Sequence, residues 1–140
     1  MIFNQNININ SFSEDKITVL NVDENLSGTD WVVGDLHGNH AILKKGLELI
    51  NFDFIKDRLF CTGDLIDRGK ESVDCFNLLN QPWFYSVLGN HELFLIEAVK
   101  SNFKSQQTKD WLVDDGSWTK KEAPETLQAM AEVAGQVPFF

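Results

Sequence analysis

Three short apolar runs in this chain each end at a glycine, and each is followed by a helical pattern. Trp31-Val32-Val33 stops at Gly34, Leu59-Phe60-Cys61-Thr62 at Gly63, and Trp83 to Leu88 at Gly89. Apolar runs of this length, bounded by glycine, read as buried strands. After the first, Ile42, Leu43, Leu47 and Ile50 share one helical face, with Lys44, Lys45 and Glu48 on the other. After the second, Val73, Phe76 and Leu79 mark a helix near 70–80; after the third, Asn90 to Lys100 is helical. The alternation predicts parallel strands joined by crossover helices, an α/β fold. Sites in such sheets form at the carboxyl ends of strands, so the three loops are expected to open on one edge.

The rest of the chain is less patterned. Asp110 to Val113 reads as a short segment and Asp114-Asp115-Gly116-Ser117 as a turn. Pro124 opens a helix carrying Leu127, Met130, Ala131 and Ala134, with Gly135 as its C′ stop. Asn4 to Asn10 reads as a frayed or loosely docked end. No Pro/Gly/Ser linker divides the 140 residues, so residues 1–140 are expected to form one domain with a motif-bearing core at about 31–100.

Charge excludes some functions. Twelve basic against 21 acidic residues give a net charge of −9, a poor match to nucleic acid or an anionic membrane surface. No signal peptide is legible, and no apolar run approaches membrane-spanning length. Cys61 and Cys75 show no metal spacing and sit in apolar surroundings, which predicts reduced core thiols in a cytoplasmic protein.

The chemistry-bearing residues follow the strands. The loops read Gly34-Asp35-Leu36-His37-Gly38, Gly63-Asp64-Leu65-Ile66-Asp67-Arg68-Gly69 and Gly89-Asn90-His91-Glu92. Glycine lets the backbone turn sharply, while Asp, His and Asn offer oxygen and imidazole donors to a divalent cation. Asp35 and His37, two apart, point the same way if the segment is extended. One Gly-Asp after a strand is an ordinary helix cap; three such loops at matching positions are a site.

In this order and spacing, GDLHG, GDLIDRG and GNHE resemble the three N-terminal motifs of the calcineurin-like metallophosphoesterases. Together with Pro82-Trp83-Phe84 and Asp115-Gly116-Ser117-Trp118, they resemble the bacteriophage-lambda-type serine/threonine protein phosphatases within the phosphoprotein phosphatase branch, over about residues 31–140. The resemblance implies the N-terminal half of a four-layer α-β-β-α sandwich. It implies phosphoester hydrolysis by direct attack of a metal-bridging hydroxide, with a phosphoprotein or phosphopeptide substrate. Two divalent metal ions are implied, manganese, iron or zinc: Asp35 and His37 on the first, Asp64 bridging, Asn90 on the second. His91 is implied as general acid oriented by Asp67, and Arg68 as the phosphate grip. Glu92 is expected to hold the loop, and His40 to face solvent at a helix start.

Two departures qualify the resemblance. The family's second half supplies two more histidine ligands, but this chain has only His37, His40 and His91. An N-terminal piece of a longer phosphatase is therefore expected, weakly active or inactive by itself and self-associating through uncovered apolar surface. A non-catalytic binding or regulatory relative is the alternative. Leu88 also stands where phosphoprotein phosphatases usually carry arginine, which resembles the symmetrical diadenosine tetraphosphatases; Asp67 and the Trp118 segment favour the phosphatase branch.

Overall fold

The computed structural model describes residues 20–137. The expectation for Asn4–Asn10 lies outside that range. Strands β1 (Asp30–Val33), β2 (Arg58–Cys61) and β3 (Phe84–Ser86) form a parallel sheet in the order β1-β2-β3. Its register aligns Val32 with Phe60 and Phe60 with Tyr85. Helix α1 (His40–Leu49) connects β1 to β2, and α2 (Ser72–Asn77) with a 3-10 turn (Leu78–Asn80) connects β2 to β3. Then follow α3 (Asn90–Lys100), α4 (Gln106–Asp114), a 3-10 segment (Gly116–Lys121) and α5 (Pro124–Ala134). The α/β fold and the three strand–loop–helix units are as the sequence predicts.

Alternation along the strands sorts the two sheet faces. Leu59, Cys61 and Phe84 are buried with Leu43 and Leu47 of α1 and Leu95 and Ile96 of α3 in one core. Residues at the opposite pleat positions are less covered. Val32 is 76% exposed, and Phe60 and Tyr85 stack at 5.0 Å between ring centroids. Helix α5 lays Leu127, Met130, Ala131 and Ala134 into the core against α3.

Four local readings need correction. Ile42 and Ile50 do not share the buried stripe of Leu43 and Leu47; they are 69% and 38% exposed and border an apolar groove beside β1. The groove exists because β1 is an edge strand, so only half of the predicted helix face finds a partner. The segment around Asp110–Val113 is part of a nine-residue helix, α4, started by Ser105, whose Oγ accepts the Thr108 N–H at 3.0 Å. Gly135 is the C-cap of α5 with right-handed geometry, φ −63°, so its freedom to turn left-handed is not used. His40 is half-buried at the first position of α1. Both cysteines are free and buried, as expected. Among the described residues, no helix is long and apolar enough to cross a membrane.

Candidate metal centre

The three post-strand loops are bound into one unit by their backbones. The N–H groups of Leu36 and His37 both donate to the Asp64 carbonyl, at 3.1 and 2.8 Å, and the Gly38 N–H donates to the Leu65 carbonyl at 2.9 Å. The Gly69 N–H returns to the His37 carbonyl at 2.9 Å. Contact between the second and third loops requires glycine: a Cβ on Gly89 would stand 2.1 Å from Asp64 Oδ1 and 2.3 Å from Asp64 N. The sequence places glycine where loops must touch, and the touching loops bring their side chains together.

Glu92 completes this scaffold. Its Oε2 accepts the N–H groups of Asp64 and Gly89, both at 2.9 Å, and its Oε1 those of Leu65 at 2.8 Å and Ile66 at 3.3 Å. Burial pushes the Glu92 carboxyl above its ordinary pKa, and the N–H bonds from Gly89 and Leu65 pull the other way. The side chain is 1% exposed and joins the second loop to the first turn of α3, the loop-holding place expected for it.

Backbone conformation is unusual here. His37, Asp64, Asp67 and Arg68 have φ of 43°, 50°, 75° and 62°. Non-glycine residues in this region each cost on the order of 1–3 kcal/mol and persist where surrounding bonds over-determine them. His37 is thus not extended, contrary to the simple two-residue argument. Its Nε2 nevertheless lies 3.8 Å from Asp35 Oδ2.

Side-chain partners set the available donors. His37 Nδ1 lies 3.0 Å from the Ile66 carbonyl, an acceptor only, so Nδ1 carries the proton and Nε2 keeps its lone pair. Donor atoms of His37, Asp64 and His91 lie within 4.8 Å of one another. Asp64 Oδ1 also accepts the His91 backbone N–H at 3.0 Å, which fixes the carboxylate between the loops. Asp35 is exposed at the rim, with Oδ1 3.2 Å from Thr62 Oγ1. Asn90 is exposed at the first position of α3. Arg68 Nη1 and Nη2 reach His37 Nε2 at 2.9 Å and His91 Nε2 at 3.4 Å, while its Nε lies 3.5 Å from Asp115. Imidazole and carboxylate donors set this close together fit a borderline divalent cation better than calcium.

Beside this cluster, Asp67 Oδ2 lies 2.6 Å from His91 Nδ1, and Asp67 is fully buried. Trp111 Nε1 donates to the same oxygen at 2.6 Å, and Trp118 Nε1 donates to Oδ1. Trp111 has no part in the sequence-based site, and the site extends beyond residue 100 to Trp118. The available signal was chemical: a buried tryptophan needs an acceptor for its N–H.

The family model for calcineurin-like phosphoesterases matches residues 31–130. The chain belongs to that family. Serine/threonine-protein phosphatase 2 of Salmonella typhimurium is 42% identical to this calcineurin-like chain over 104 residues, covering 71% of the chain and 46% of the relative. The Escherichia coli protein of the same name is 47% identical over 88 residues, covering 63% and 38%. A symmetrical bis(5′-nucleosyl)-tetraphosphatase of Actinobacillus succinogenes is 43% identical over 82 residues, covering 57% and 30%. A crystal structure provisionally described as a diadenosine tetraphosphatase superposes with a TM-score of 0.59 at 30% identity, covering 81% of this chain and 45% of its own. The chain thus spans less than half the length of these calcineurin-like relatives.

Proposed function

We propose that this chain carries the N-terminal catalytic elements of a metal-dependent phosphoester hydrolase acting on phosphoserine or phosphothreonine in proteins. The observation that carries the reading is the meeting of a buried His91–Asp67 pair, 2.6 Å apart, with the Arg68 guanidinium 3.4 Å from His91 Nε2. A proton donor and an anion holder converge on one point beside the His37 imidazole and the Asp64 carboxylate.

Asp35 and His37 would hold one divalent cation, Asp64 would bridge, and Asn90 would join the second; manganese is the favoured ion, with iron or zinc as alternatives. When bound, such ions supply positive charge that polarises the phosphoryl group and acidifies water. The residues of this chain do the rest. Arg68 offers two parallel N–H donors to phosphate oxygens. His91 gives its Nε2 proton to the leaving alkoxide and keeps its Nδ1 proton on Asp67. The buried carboxylate stabilises the imidazolium before transfer and fixes the ring that aims the proton.

The test replaces His91 and Asp64 separately in the full-length protein. In His91→Ala, turnover falls by about 10²–10⁴-fold, the usual worth of a positioned acid, while metal content holds. In Asp64→Ala both are lost. Loss of metal from His91→Ala would make His91 a ligand and overturn the acid assignment.

A second substrate reading rests on Leu88, which is buried in the core and has no side-chain donor to offer a phosphate. Together with the tetraphosphatase-named relatives, it supports a dinucleoside polyphosphate substrate. Faster phosphate release from phosphoseryl peptides than cleavage of such nucleotides favours the protein phosphatase; the reverse ratio favours the nucleotide hydrolase. The free, buried thiols support a reducing compartment such as the cytoplasm.

A further inference from the structure

The Asp67 carboxylate is held from three directions. His91 Nδ1 and Trp111 Nε1 share Oδ2, each at 2.6 Å, and Trp118 Nε1 bonds to Oδ1. The Asp67 backbone N–H donates to Ser72 Oγ at 3.0 Å, which fixes the main chain beneath it. Asp67 itself adopts a left-handed φ of 75°. Without lateral support, a carboxylate on such a residue would rotate about its terminal torsion, which is broad and roughly two-fold. Both tryptophans come from outside the motif loops: Trp111 from α4, Trp118 from the 3-10 segment. Trp111 is 5% exposed and stacked so closely on Gly116 that a Cβ there would lie 2.6 Å from the ring. Trp118 is only half-buried and lines a cavity of about 240 Å³ with Arg68, Lys70, Ser117 and Lys121.

We propose that Trp111 and Trp118 form an indole clamp that positions Asp67, and through it aims His91 Nε2 at the leaving group. They are positioning residues: neither Nε1 atom reaches His91 directly, and each acts through the carboxylate. The role rests on the acid assignment for His91 above. The three donors converge on two oxygens from different elements, so removing one N–H lets the carboxylate turn and the imidazole follow. Trp118 also walls the cavity beside Arg68, so one face of the clamp meets solvent.

The test deletes the N–H while keeping an aromatic ring, as Trp118→Phe and Trp111→Phe, with Trp83→Phe as a control in a separate aromatic cluster. On the full 140-residue chain without added metal, proton–nitrogen NMR follows the His91 ring and the indole signals. In Trp118→Phe the His91 Nδ1–H signal is expected to shift and exchange faster with water, and the Trp111 Nε1–H signal to move with it. Backbone amide signals remote from the site, and the His91 signals in Trp83→Phe, stay in place. Unchanged His91 signals in Trp118→Phe overturn the clamp. That variant alters a half-exposed side chain and decides the question if Trp111→Phe fails to fold.

A second readout compares phenyl phosphate with 4-nitrophenyl phosphate in the presence of manganese. Poor leaving groups need the acid more. Trp118→Phe is therefore expected to lower kcat on phenyl phosphate at least fivefold more than on 4-nitrophenyl phosphate, with KM nearly unchanged. An equal loss on both would make the tryptophans structural only. No turnover in the parent chain, which its short ligand set allows, would leave the NMR result alone to decide the clamp.

Discussion

Glu92 Oε2 and the backbone N–H of Asp64 are 2.9 Å apart, although Asp64 follows β2 and Glu92 lies in the first turn of α3. The same carboxylate accepts three further N–H groups, from Leu65, Ile66 and Gly89. Glu92→Ala therefore strands buried donors at about 1–3 kcal/mol each, and urea unfolding should show a loss of more than about 3 kcal/mol. Glu92→Gln is nearly isosteric but must turn its amide NH2 toward two of the four N–H donors. It should still lose about 2 kcal/mol. A Gln variant as stable as the parent would show that the carboxylate merely fills space.

Two glycines should respond to alanine in opposite ways. Gly89 has no room, with Asp64 Oδ1 2.1 Å from where a Cβ would sit. Gly89→Ala should displace the carboxylate and weaken manganese binding by about 10–100-fold, the usual effect of disturbing a ligand's support. Gly46 lies inside α1 with nothing within 4 Å of a Cβ. Gly46→Ala should raise stability by about 0.5–1 kcal/mol, through helix propensity alone. Calorimetric titration checks the first and thermal unfolding the second.

Ligand number sets a further expectation for these 140 residues. Asp35, His37 and Asp64 offer a first cation three protein donors, whereas Asp64 and Asn90 leave a second with two. One weakly bound ion is therefore expected by calorimetry, with little turnover of an aryl phosphate. Two tight sites with robust turnover would contradict this ligand count.

Burial pushes the Cys61 thiol up to about 11 and the Cys75 thiol up to about 12. At pH 8 only about one Cys61 in a thousand, and fewer Cys75, would be thiolate, the form that reacts. Iodoacetamide should label neither in the native chain and both in urea. Rapid native labelling would place the thiols at the surface.

At the other end of β1 and β2, Asp30 accepts from Arg58 Nε at 2.7 Å and Nη2 at 2.6 Å. The Arg58 side chain holds the Asp30 carboxyl below its ordinary range. A lowered folded-state pKa gives stability that is present at neutral pH and lost as pH falls through that pKa. The pair is partly exposed, so Asp30→Asn should cost about 1 kcal/mol or less at pH 7. The difference should shrink in urea titrations as the pH falls through the lowered Asp30 pKa. A penalty that persisted in acid would point to the side-chain shape rather than its charge.

The three motif units were legible because each carries its own local signals: an apolar run, a stopping glycine and a helical repeat. Leu43, Leu47, Leu59 and Phe84 declare themselves as core by spacing alone. What stayed hidden depends on distant parts of the chain. The exposure of Ile42 and Ile50 follows from β1 being a sheet edge, which no helical period reveals. Helix α4 has too few apolar residues, chiefly Trp111 and Leu112, to announce itself. The tryptophan bonds to Asp67 span 44 and 51 residues, a pairing that local spacing does not encode.

The exposed Val32, on the less covered face of the sheet, has a practical consequence. An apolar strand face beside an open edge invites pairing between chains. Sedimentation should show self-association that rises with concentration and weakens in Val32→Lys. Equal association by both chains would move the contact elsewhere.

The two indole bonds also set an order of events during synthesis. A ribosome adding about 5–20 residues per second delivers His91 before Trp111 and Trp118, so roughly 3–10 s separate the emergence of Asp67 from that of Trp118. Once His91 has emerged, about midway through that interval, the three loops can close on one another while the acid pair still lacks its restraints. The shape of the metal cluster is thus settled by early chain, and the aim of the proton donor by late chain. A nascent polypeptide would acquire the means to gather a cation before it acquired the means to finish a reaction.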